Sequence, residues 1–518
     1  MSNKLFPVGI QNFENLRNRG FVYVDKTALI YKLFTTGKYY FLGRPRRFGK
    51  SLLISTIEAY AQGKRHLFGG LALDSLEKDW NVFPVLHLDL NTEKYDSAEA
   101  LDNKLNLALL QWENLYGADP AEYSPASRFE GIIRRAYNKT GMEVVILVDE
   151  YDKPLLQAIG NETLQNEYRN TLKAFYGALK SMDGCIRFAM LTGVTKFGKV
   201  SVFSDLNNLE DISMLPAYTD LCGITEKEIH DNFEDELHEL ADHNNISYEE
   251  ACKELRENYN GYHFTHDCVG VYNPFSLFNA LKNLEFGNYW FETGTPTYLV
   301  KLLKKHKYDL EKVDGIKTTA AVLNSIDASS TDPIPVIYQS GYLTIKDYIP
   351  RFGIYELGFP NREVKQGFLE FLLPNYASVN EAQSVFEISM FVNEIENGDP
   401  DAFLSRLKTF FADTPYDLAR DLELHYQNVL YIVFKLMGFY VQVEYHTNRG
   451  RIDLVLKTDE YIYLMEFKLD GSADQALRQI EDNGYAEAFS SDTRKMFIVG
   501  VNFSNELRNI EQWKIIRR

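Results

Sequence analysis

The segment Tyr39–Ser51 constrains the fold of this 518-residue chain more than any other stretch. It begins as an apolar run that predicts a buried strand, continues as a basic loop and ends in Gly49, Lys50 and Ser51. A helix is predicted after it, as far as about Ala61. In a strand, loop and helix of this order, backbone N–H groups of the loop and the helix N-terminus face an anion. The segment therefore predicts a phosphate-binding loop in an α/β domain with a parallel sheet.

The side chains of this loop fit the same interpretation. Lys50 would reach the β- and γ-phosphates of a nucleotide, and the Ser51 hydroxyl would hold Mg²⁺. Arg46, Arg47 and Gly49 complete the candidate phosphate-binding set, and the two arginines are candidates for an arginine finger in cis. The chain contains no Asn-Lys-x-Asp sequence that would specify guanine. We therefore expect ATP and Mg²⁺ as the ligands.

The spacing of the two glycines departs from the usual pattern. About four residues normally separate them, whereas five separate Gly43 from Gly49, and Arg44 occupies the place of the first glycine. A Gly-Lys-Ser tripeptide alone is a weak signal. The prediction therefore depends on the strand before it, the helix after it and an acidic strand farther along the chain.

That acidic strand is Glu143–Glu150, an apolar run that ends in two carboxylates. Its β-branched and leucine residues suit a central parallel strand covered on both faces. Carboxyl ends of such strands are where doubly wound sheets bind ligands. Asp149 would hold Mg²⁺, and Glu150 would act as the general base for the attacking water. The alternative to a catalytic role is that Asp149 and Glu150 only cap the helix that follows the strand.

A third strand is predicted at Arg187–Val194, and it carries a hydroxyl near its end. In ATPases a polar residue at this position senses the γ-phosphate, which makes Thr192 the candidate. A threonine that caps a turn at the strand end explains the same pattern equally well.

Composition and charge limit the class of protein. The formal net charge is −18, so nucleic acid would have to bind at a local patch, because proteins that coat it through bulk charge are basic. The four cysteines form no Cys-x-x-Cys pair, which favours a reduced, cytoplasmic protein. No apolar run approaches the roughly 18 residues of a membrane span, so no membrane association is expected.

The pattern of helices, strands and breaks predicts several domains. Phe21–Thr27 predicts a short strand, and Thr225 opens a helix with a capping box. Residues 334–361 and a helix from Arg362 resemble a winged-helix module, whose role would be structural or nucleic-acid docking. The predicted organisation is a P-loop ATPase-like domain at 1–224, a helical subdomain at 225–320, a winged-helix-like module at 321–380, a connector at 381–398 and an α/β domain at 399–518.

The C-terminal domain contains a second group of charged residues. Two predicted strands, Arg451–Leu456 and Tyr461–Lys468, form a hairpin whose turn is centred on Asp459-Glu460, which places Asp453 opposite Glu466. Strand periodicity puts Glu466 and Lys468 on one face. Two carboxylates at this spacing can hold Mg²⁺, and a lysine beside them can orient water or stabilise charge on a phosphate. This is the chemistry of metal-assisted phosphodiester hydrolysis.

Flanking helices supply further candidates for this site. Glu423 lies on the preceding helix, and Gln479 lies on a helix predicted at Asp474–Phe489. Tyr485 of that helix could face the same groove. The alternative is a solvent-facing sheet edge with an ordinary Glu-Lys pair, since Glu-x-Lys alone is a very weak signal.

Together these motifs resemble a known family, bacterial AAA-ATPase-like proteins with a C-terminal PD-(D/E)XK nuclease domain of the restriction-endonuclease-like fold. The resemblance runs over nearly the whole length. The segments that carry it are Tyr23–Thr27, Arg44–Ser51, Val148–Asp152, Leu191–Val194, Phe203–Leu209, Tyr259–Tyr262, Tyr272–Pro274, Gly450–Asp453 and Glu466–Lys468. The shifted first glycine matches a feature of this family. The resemblance implies ATP as the nucleotide and Asp453, Glu466 and Lys468 as the nuclease core.

Two functions from different classes follow. The first is an ATP-binding and hydrolysing protein coupled to a Mg²⁺-dependent nuclease, with nucleic acid, DNA above all, as the partner and a homo-oligomer as a possible assembly. The second is a sensor or signalling NTPase whose nuclease-like domain only binds nucleic acid or a protein. The intact set Asp453, Glu466 and Lys468 favours the first, and the net charge of −18 mildly favours the second.

Overall fold

A computed structural model describes residues 4–196, 208–291, 297–324, 332–377, 379–412, 422–448 and 451–518. The chain forms two compact units, Met1–Gly294 with Gly315–Val364 and Thr295–Asp314 with Lys365–Arg518. Both units mix helices with a five-stranded sheet, as the α/β prediction requires. None of the described helices combines the length and the apolar character that a membrane span needs.

The first unit is built on a parallel sheet. Its strands are β1 (Tyr39–Gly43), β2 (Val85–Asp89), β3 (Val144–Asp149), β4 (Ile186–Gly193) and β5 (Glu210–Asp211). They are ordered β2-β3-β4-β1-β5, and every neighbouring pair is parallel. All residues of β3 are buried, as a central strand covered on both faces requires. Strand β4 separates β1 from β3, so the phosphate-loop strand and the carboxylate strand are not hydrogen-bonded to each other.

Helices cover this sheet and form the rest of the first unit. They are Phe13–Asn18, Thr27–Thr36, Lys50–Ala61, Ala72–Leu76, Ala98–Tyr116, Pro125–Thr140, Lys153–Gln157, Glu162–Ser181, Glu226–Asn244, Tyr248–Tyr259, Pro274–Asn283, Ala320–Leu323 and Ile334–Gln339, with 3₁₀ turns at Arg65–Phe68, Asp183–Cys185 and Pro216–Tyr218. The predicted capping box is confirmed, because Thr225 and Glu228 exchange side-chain and backbone hydrogen bonds.

Two small sheets complete the first unit. One pairs β6 (Ile224–Thr225) with β7 (Val271–Tyr272), and the other has the order β8-β10-β9, from Ile316–Thr319, Ile354–Gly358 and Thr344–Ile349. The antiparallel pair β9 and β10 forms a hairpin within residues 334–361, where the winged-helix-like module is expected. The helix Arg362–Tyr376 follows it and continues into the second unit. The winged-helix role and the finer domain boundaries stay predictions.

The prediction of a strand at Phe21–Thr27 is wrong. Phe21 makes only an isolated bridge to Leu5, and Thr27 begins a helix. Asp25 explains the difference, since its Oδ1 accepts hydrogen bonds from the Thr27 backbone N–H at 2.8 Å and from the Thr27 hydroxyl at 2.6 Å. Such side-chain bonds offer the backbone an alternative to a strand ladder.

The second unit contains a mixed sheet ordered β11-β12-β13-β14-β15. The strands are Gln442–Asn448, Arg451–Lys457, Tyr461–Leu469, Lys495–Ser504 and Asn509–Arg517, and only β13 and β14 are parallel. The helix Ala473–Asp482 connects these two parallel strands. Further helices are Thr297–Lys305, Glu381–Glu396, Pro400–Ala412 and Leu422–Met437, with 3₁₀ turns at Leu310–Val313 and Tyr485–Phe489.

The helix expected at Asp474–Phe489 is shorter than predicted. It ends at Asp482, and Gly484 then adopts the left-handed conformation, with φ +64°. A glycine takes this conformation without the steric cost that a Cβ would impose. The remaining residues form the separate 3₁₀ turn.

Candidate functional sites

The carboxyl ends of three strands in the first unit meet at one edge of the sheet. Gly43 at the end of β1 pairs with Gly193 of β4, and Leu42 pairs with Thr192. Asp149 ends β3, which lies on the other side of β4. The phosphate loop, the acidic pair and the threonine predicted from sequence are therefore carried by neighbouring parts of one edge.

Lys50 lies at this edge, beside Glu150. Its side chain is buried, and its Nζ donates hydrogen bonds to the backbone oxygens of Arg44 at 3.1 Å and Pro45 at 3.2 Å. The same Nζ lies 3.4 Å from Glu150 Oε1. The structure thus brings together two residues that are 100 positions apart and that were predicted to act on the same nucleotide.

Asp149 and Thr192 form a second contact at this edge. The Thr192 hydroxyl donates to Asp149 Oδ1 at 2.6 Å, and both side chains are buried. The threonine therefore orients the carboxylate that was predicted to hold Mg²⁺. Ser51 lies at the first turn of the following helix. A carboxylate and a hydroxyl at the mouth of a phosphate loop are oxygen ligands of the kind Mg²⁺ takes.

The three arginines of the loop differ in burial and in the contacts that they make. Arg44 is buried, with its guanidinium donating to the backbone oxygens of Ser213 at 2.7 Å and Tyr218 at 3.0 Å and lying 3.9 Å from the centre of the Phe264 ring. Arg46 and Arg47 are exposed. The arginine that replaces the first glycine therefore anchors the loop, while the other two remain accessible.

Aromatic residues also hold the loop. Phe48 is buried and contacts Tyr262 and Phe264 edge to face, at 4.7 and 5.5 Å between ring centres. The Arg47 guanidinium lies 4.6 Å from the centre of the Phe275 ring, and Arg47 has a left-handed backbone with φ +68°. Gly49 is also left-handed. These contacts offset the strain of a non-glycine residue in that conformation.

Asp152 is a site residue to which sequence reasoning assigned no role. It is fully buried, and its carboxylate accepts hydrogen bonds from the Thr195 backbone N–H and hydroxyl, both at 2.6 Å, and from the Val194 N–H at 3.2 Å. Burial, followed by the charge of Glu150, raises the pKa of Asp152 to about 6. The sequence did contain a signal for Asp152, because it is a third acidic residue close after Asp149 and Glu150, within the segment Val148–Asp152.

In the second unit, the predicted hairpin register is confirmed. Asp453 on β12 pairs with Glu466 on β13. The Lys468 Nζ donates to Glu466 Oε1 at 2.8 Å and also to the Gln479 side-chain oxygen. Glu466 is fully buried. Lys468 therefore contacts two of the other predicted residues, Glu466 and Gln479.

Other predicted members of this site are placed differently. The Asp453 side chain lies outside what the structure describes. Glu423 is exposed in the first turn of its helix, and its side chain makes no hydrogen bond or ion pair with another described residue. Tyr485 packs on a core cluster that includes Ile480. Across the described residues, no group of three or more histidine, cysteine or acidic side chains is arranged to hold a metal ion. Of the predicted carboxylates whose side chains are described, Glu466 is the one that Lys468 contacts, and it is the candidate to bind one here.

Two family models match the chain. Residues 7–203 match the model described as a predicted AAA-ATPase, and residues 421–513 match the PD-(D/E)XK nuclease superfamily. Each match falls on one of the two sites described above.

The fold and the sites define an α/β protein that joins an AAA-ATPase-like domain to a PD-(D/E)XK nuclease-type domain. The chain belongs to the family of bacterial AAA-ATPase-like proteins that carry this C-terminal domain. It is 37% identical over 523 aligned residues to a protein of Azotobacter chroococcum mcd 1 named "Uncharacterized protein in vnfD 5'region", and the alignment covers 98% of both chains.

Proposed function

We propose that this protein binds and hydrolyses ATP with Mg²⁺ and couples that cycle to a Mg²⁺-dependent nuclease that cleaves phosphodiester bonds. One observation supports the proposal above all: in each unit, the ammonium group of a lysine lies beside a buried or half-buried carboxylate. Lys50 lies 3.4 Å from Glu150, and Lys468 donates to Glu466 at 2.8 Å. The family matches support both domain types.

In the ATPase site, each residue has a distinct task. The backbone around Gly49 and the Lys50 ammonium would bind the β- and γ-phosphates. Ser51 and Asp149 would hold Mg²⁺, which neutralises phosphate charge when bound. Glu150 would accept the proton of the attacking water, and Thr192 would keep Asp149 oriented. Arg46 and Arg47 remain the candidates for contact with the phosphates from the exposed side of the loop.

In the nuclease site, Asp453 and Glu466 would share one Mg²⁺, which supplies Lewis-acid activation of the scissile phosphate when bound. Lys468 would stand beside that phosphate and stabilise its developing negative charge. Gln479 fixes the lysine through the hydrogen bond already described. Glu423 would assist from the preceding helix, and DNA is the proposed partner.

A second candidate function has its own support. The net charge is −18, and Glu423 has no bond to the other site residues that the structure describes. A signalling NTPase whose nuclease-like domain only binds nucleic acid or a protein partner would show both features. Under this alternative, ATP hydrolysis persists while no nucleic acid is cut.

The decisive experiment incubates the purified full-length protein with plasmid DNA, linear DNA and RNA. Each substrate is tested with Mg²⁺, with EDTA, and with or without ATP, beside the Asp453→Ala variant as the matched control. The proposal expects Mg²⁺-dependent cleavage that Asp453→Ala lacks and that changes with ATP. Turnover of ATP with every nucleic acid intact would favour the signalling alternative, and the absence of both activities would refute the proposal.

A further inference from the structure

A cavity lies in the first unit beside the start of the phosphate loop. It has a volume of about 450 Å³ and is lined by Gly43, Arg44 and Pro45, where β1 continues into the loop, and by residues from four other segments of the chain. Small-molecule sites commonly have volumes of about 300–1,000 Å³. The size of this cavity therefore suits a compact ligand.

Most of the side chains around the cavity are apolar or aromatic. They include Pro45, Met214, Phe264, Tyr338 and Leu343. Walls of this kind favour a ligand whose body is also apolar, and planar rings pack well against phenylalanine and tyrosine side chains. A flat apolar body is therefore the part of a ligand that these walls would bind.

The charge of the cavity has one sign. Among the described residues that line it, the charged side chains are the two cations Arg44 and Lys196, and none is a carboxylate. The ring of His263 stays neutral, because burial lowers its pKa. Lys196 Nζ lies 2.9 Å from Asp211 Oδ2, so a residue outside the lining offsets its charge. The positive charge of Arg44 remains.

Arg44 has no acidic partner among the described residues. Its guanidinium donates to the backbone oxygens of Gly43 at 3.0 Å and, as described above, of Ser213 and Tyr218. Its buried Nε–H has no hydrogen-bond acceptor in the part of the chain that the structure describes. Buried charges are normally paired, and a buried donor without an acceptor costs free energy. An anionic group beside Arg44 would satisfy both requirements.

We propose that this cavity binds a small organic anion, a carboxylate on a flat apolar body, with the body between the apolar walls and the carboxylate beside the Arg44 guanidinium. A carboxylate is favoured because its planar shape matches that of a guanidinium. This ligand is distinct from ATP, since Lys50, Ser51 and Glu150, which would act on the phosphates of ATP, are not among the lining residues.

Occupancy of the cavity would act on the phosphate loop. Lys50 Nζ donates to the backbone oxygens of Arg44 and Pro45, and both of these residues line the cavity. An anion beside Arg44 would also lower the positive potential that the loop offers to phosphates. The organic anion and Mg-ATP should therefore weaken each other's binding by the same factor. This coupling depends on the proposed ATPase function, whereas binding of the anion does not.

The test uses indole-3-acetate as the probe and indole-3-acetamide as its neutral match, because the two differ in charge but little in shape. Isothermal titration of the full-length protein without nucleotide gives the Kd of each. Met214→Trp and Leu343→Phe place larger side chains at the cavity wall, and their Tm shows whether they are folded. Leu110→Trp is the matched control, since Leu110 is 49% exposed on the helix Ala98–Tyr116. The KM for Mg-ATP is measured with and without saturating probe.

We expect the wild type to bind indole-3-acetate with a Kd of roughly 0.1–1 mM, as suits a ligand of this size. The amide should bind about tenfold more weakly, because it lacks the charge that strengthens a hydrogen bond to a cation. Folded Met214→Trp and Leu343→Phe should bind the acid at least about tenfold more weakly, because the cavity is filled, and Leu110→Trp should match the wild type. Saturating probe should raise the KM of the wild type for Mg-ATP by about fivefold.

Each contrary result overturns a defined part of the inference. Equal affinity for the acid and the amide would overturn the assignment of an anion. Absence of binding by the wild type, or wild-type affinity in both folded cavity variants, would overturn the site. A KM for Mg-ATP that does not change with the probe would overturn the coupling. If the wild type does not hydrolyse ATP, the ATPase proposal fails, while the titrations without nucleotide still decide whether the cavity binds the anion.

Discussion

The ammonium of Lys50 and the carboxylate of Glu150 lie 3.4 Å apart at the edge of the parallel sheet. The lysine is buried, and it is also held by two backbone oxygens of its own loop. A nucleotide that binds through its phosphates would compete with Glu150 for the same ammonium. Binding would therefore release the carboxylate that is proposed to activate water, which links occupancy of the site to its readiness for catalysis.

Replacing Lys50 by alanine should abolish ATP binding, because the phosphates lose their main point charge. Isothermal titration with Mg-ATP measures the effect, and a thermal melt shows whether the variant is folded. An unchanged Kd in a folded Lys50→Ala protein would remove the loop from the nucleotide site.

Glu150→Gln should keep ATP binding and stop turnover, since the amide preserves the shape of the side chain but cannot accept the proton. Loss of a general base lowers kcat by roughly 10²–10⁴-fold. Steady-state phosphate release, with nucleotide affinity measured in parallel, checks this. Hydrolysis at the wild-type rate would instead assign Glu150 to the capping of the next helix.

Asp453→Ala should remove nucleic-acid cleavage while the second unit stays folded. The carboxylates of Asp453 and Glu466 would repel each other when no cation lies between them. The Tm of the Asp453→Ala variant without Mg²⁺ should therefore equal or exceed that of the wild type. The cleavage assay and a melt with and without Mg²⁺ provide the two readouts. Cleavage that survives the substitution would contradict the nuclease site.

Lys468→Ala should destabilise the protein without metal, because the fully buried Glu466 loses its salt bridge. Breaking a buried pair costs about 3–5 kcal/mol, and Mg²⁺ on Glu466 should restore part of the loss. Calorimetric melts along a Mg²⁺ titration measure both effects. Metal binding should persist while cleavage disappears, and a variant that still cuts DNA at the wild-type rate would exclude Lys468 from the chemistry.

Asp152→Asn should change how stability depends on pH. The pKa of Asp152 is raised to about 6 in the folded protein, above the value of about 3.9 for an unfolded aspartate. Between these values the folded state holds a proton that the unfolded state has lost, so this group's contribution to stability is complete below about pH 4 and is lost as the pH rises through about 6.

The asparagine variant cannot titrate, so its free energy of unfolding should lack this decline, which amounts to roughly 3 kcal/mol for a shift of about two pKa units. It also loses acceptor capacity toward Thr195. Urea unfolding of both proteins at several values between pH 4 and pH 7 gives the comparison. Parallel pH profiles would show that Asp152 has an ordinary pKa.

Much of the local structure was predictable, because it depends on neighbours in the chain. The helix predicted after the phosphate loop is Lys50–Ala61, and the capping box at Thr225 follows from the residue types three positions apart. The pairing of Asp453 with Glu466 was also predictable, since a short turn determines the register of a hairpin. The prediction of a strand at Phe21–Thr27 was wrong, because the Asp25 carboxylate accepts a hydrogen bond from the nearby Thr27 backbone N–H.

What the sequence by itself determined is therefore the set of local elements and the types of chemical groups at their ends. Only the tertiary structure decided that β4 separates β1 from β3, that Thr192 orients Asp149, and that Asp152 holds the segment after β4. It also decided that Arg44 is an anchor and that Gln479 holds Lys468. The physical reason is that the order of strands and the partner of each buried charge depend on contacts between residues far apart in the chain, which no local pattern specifies.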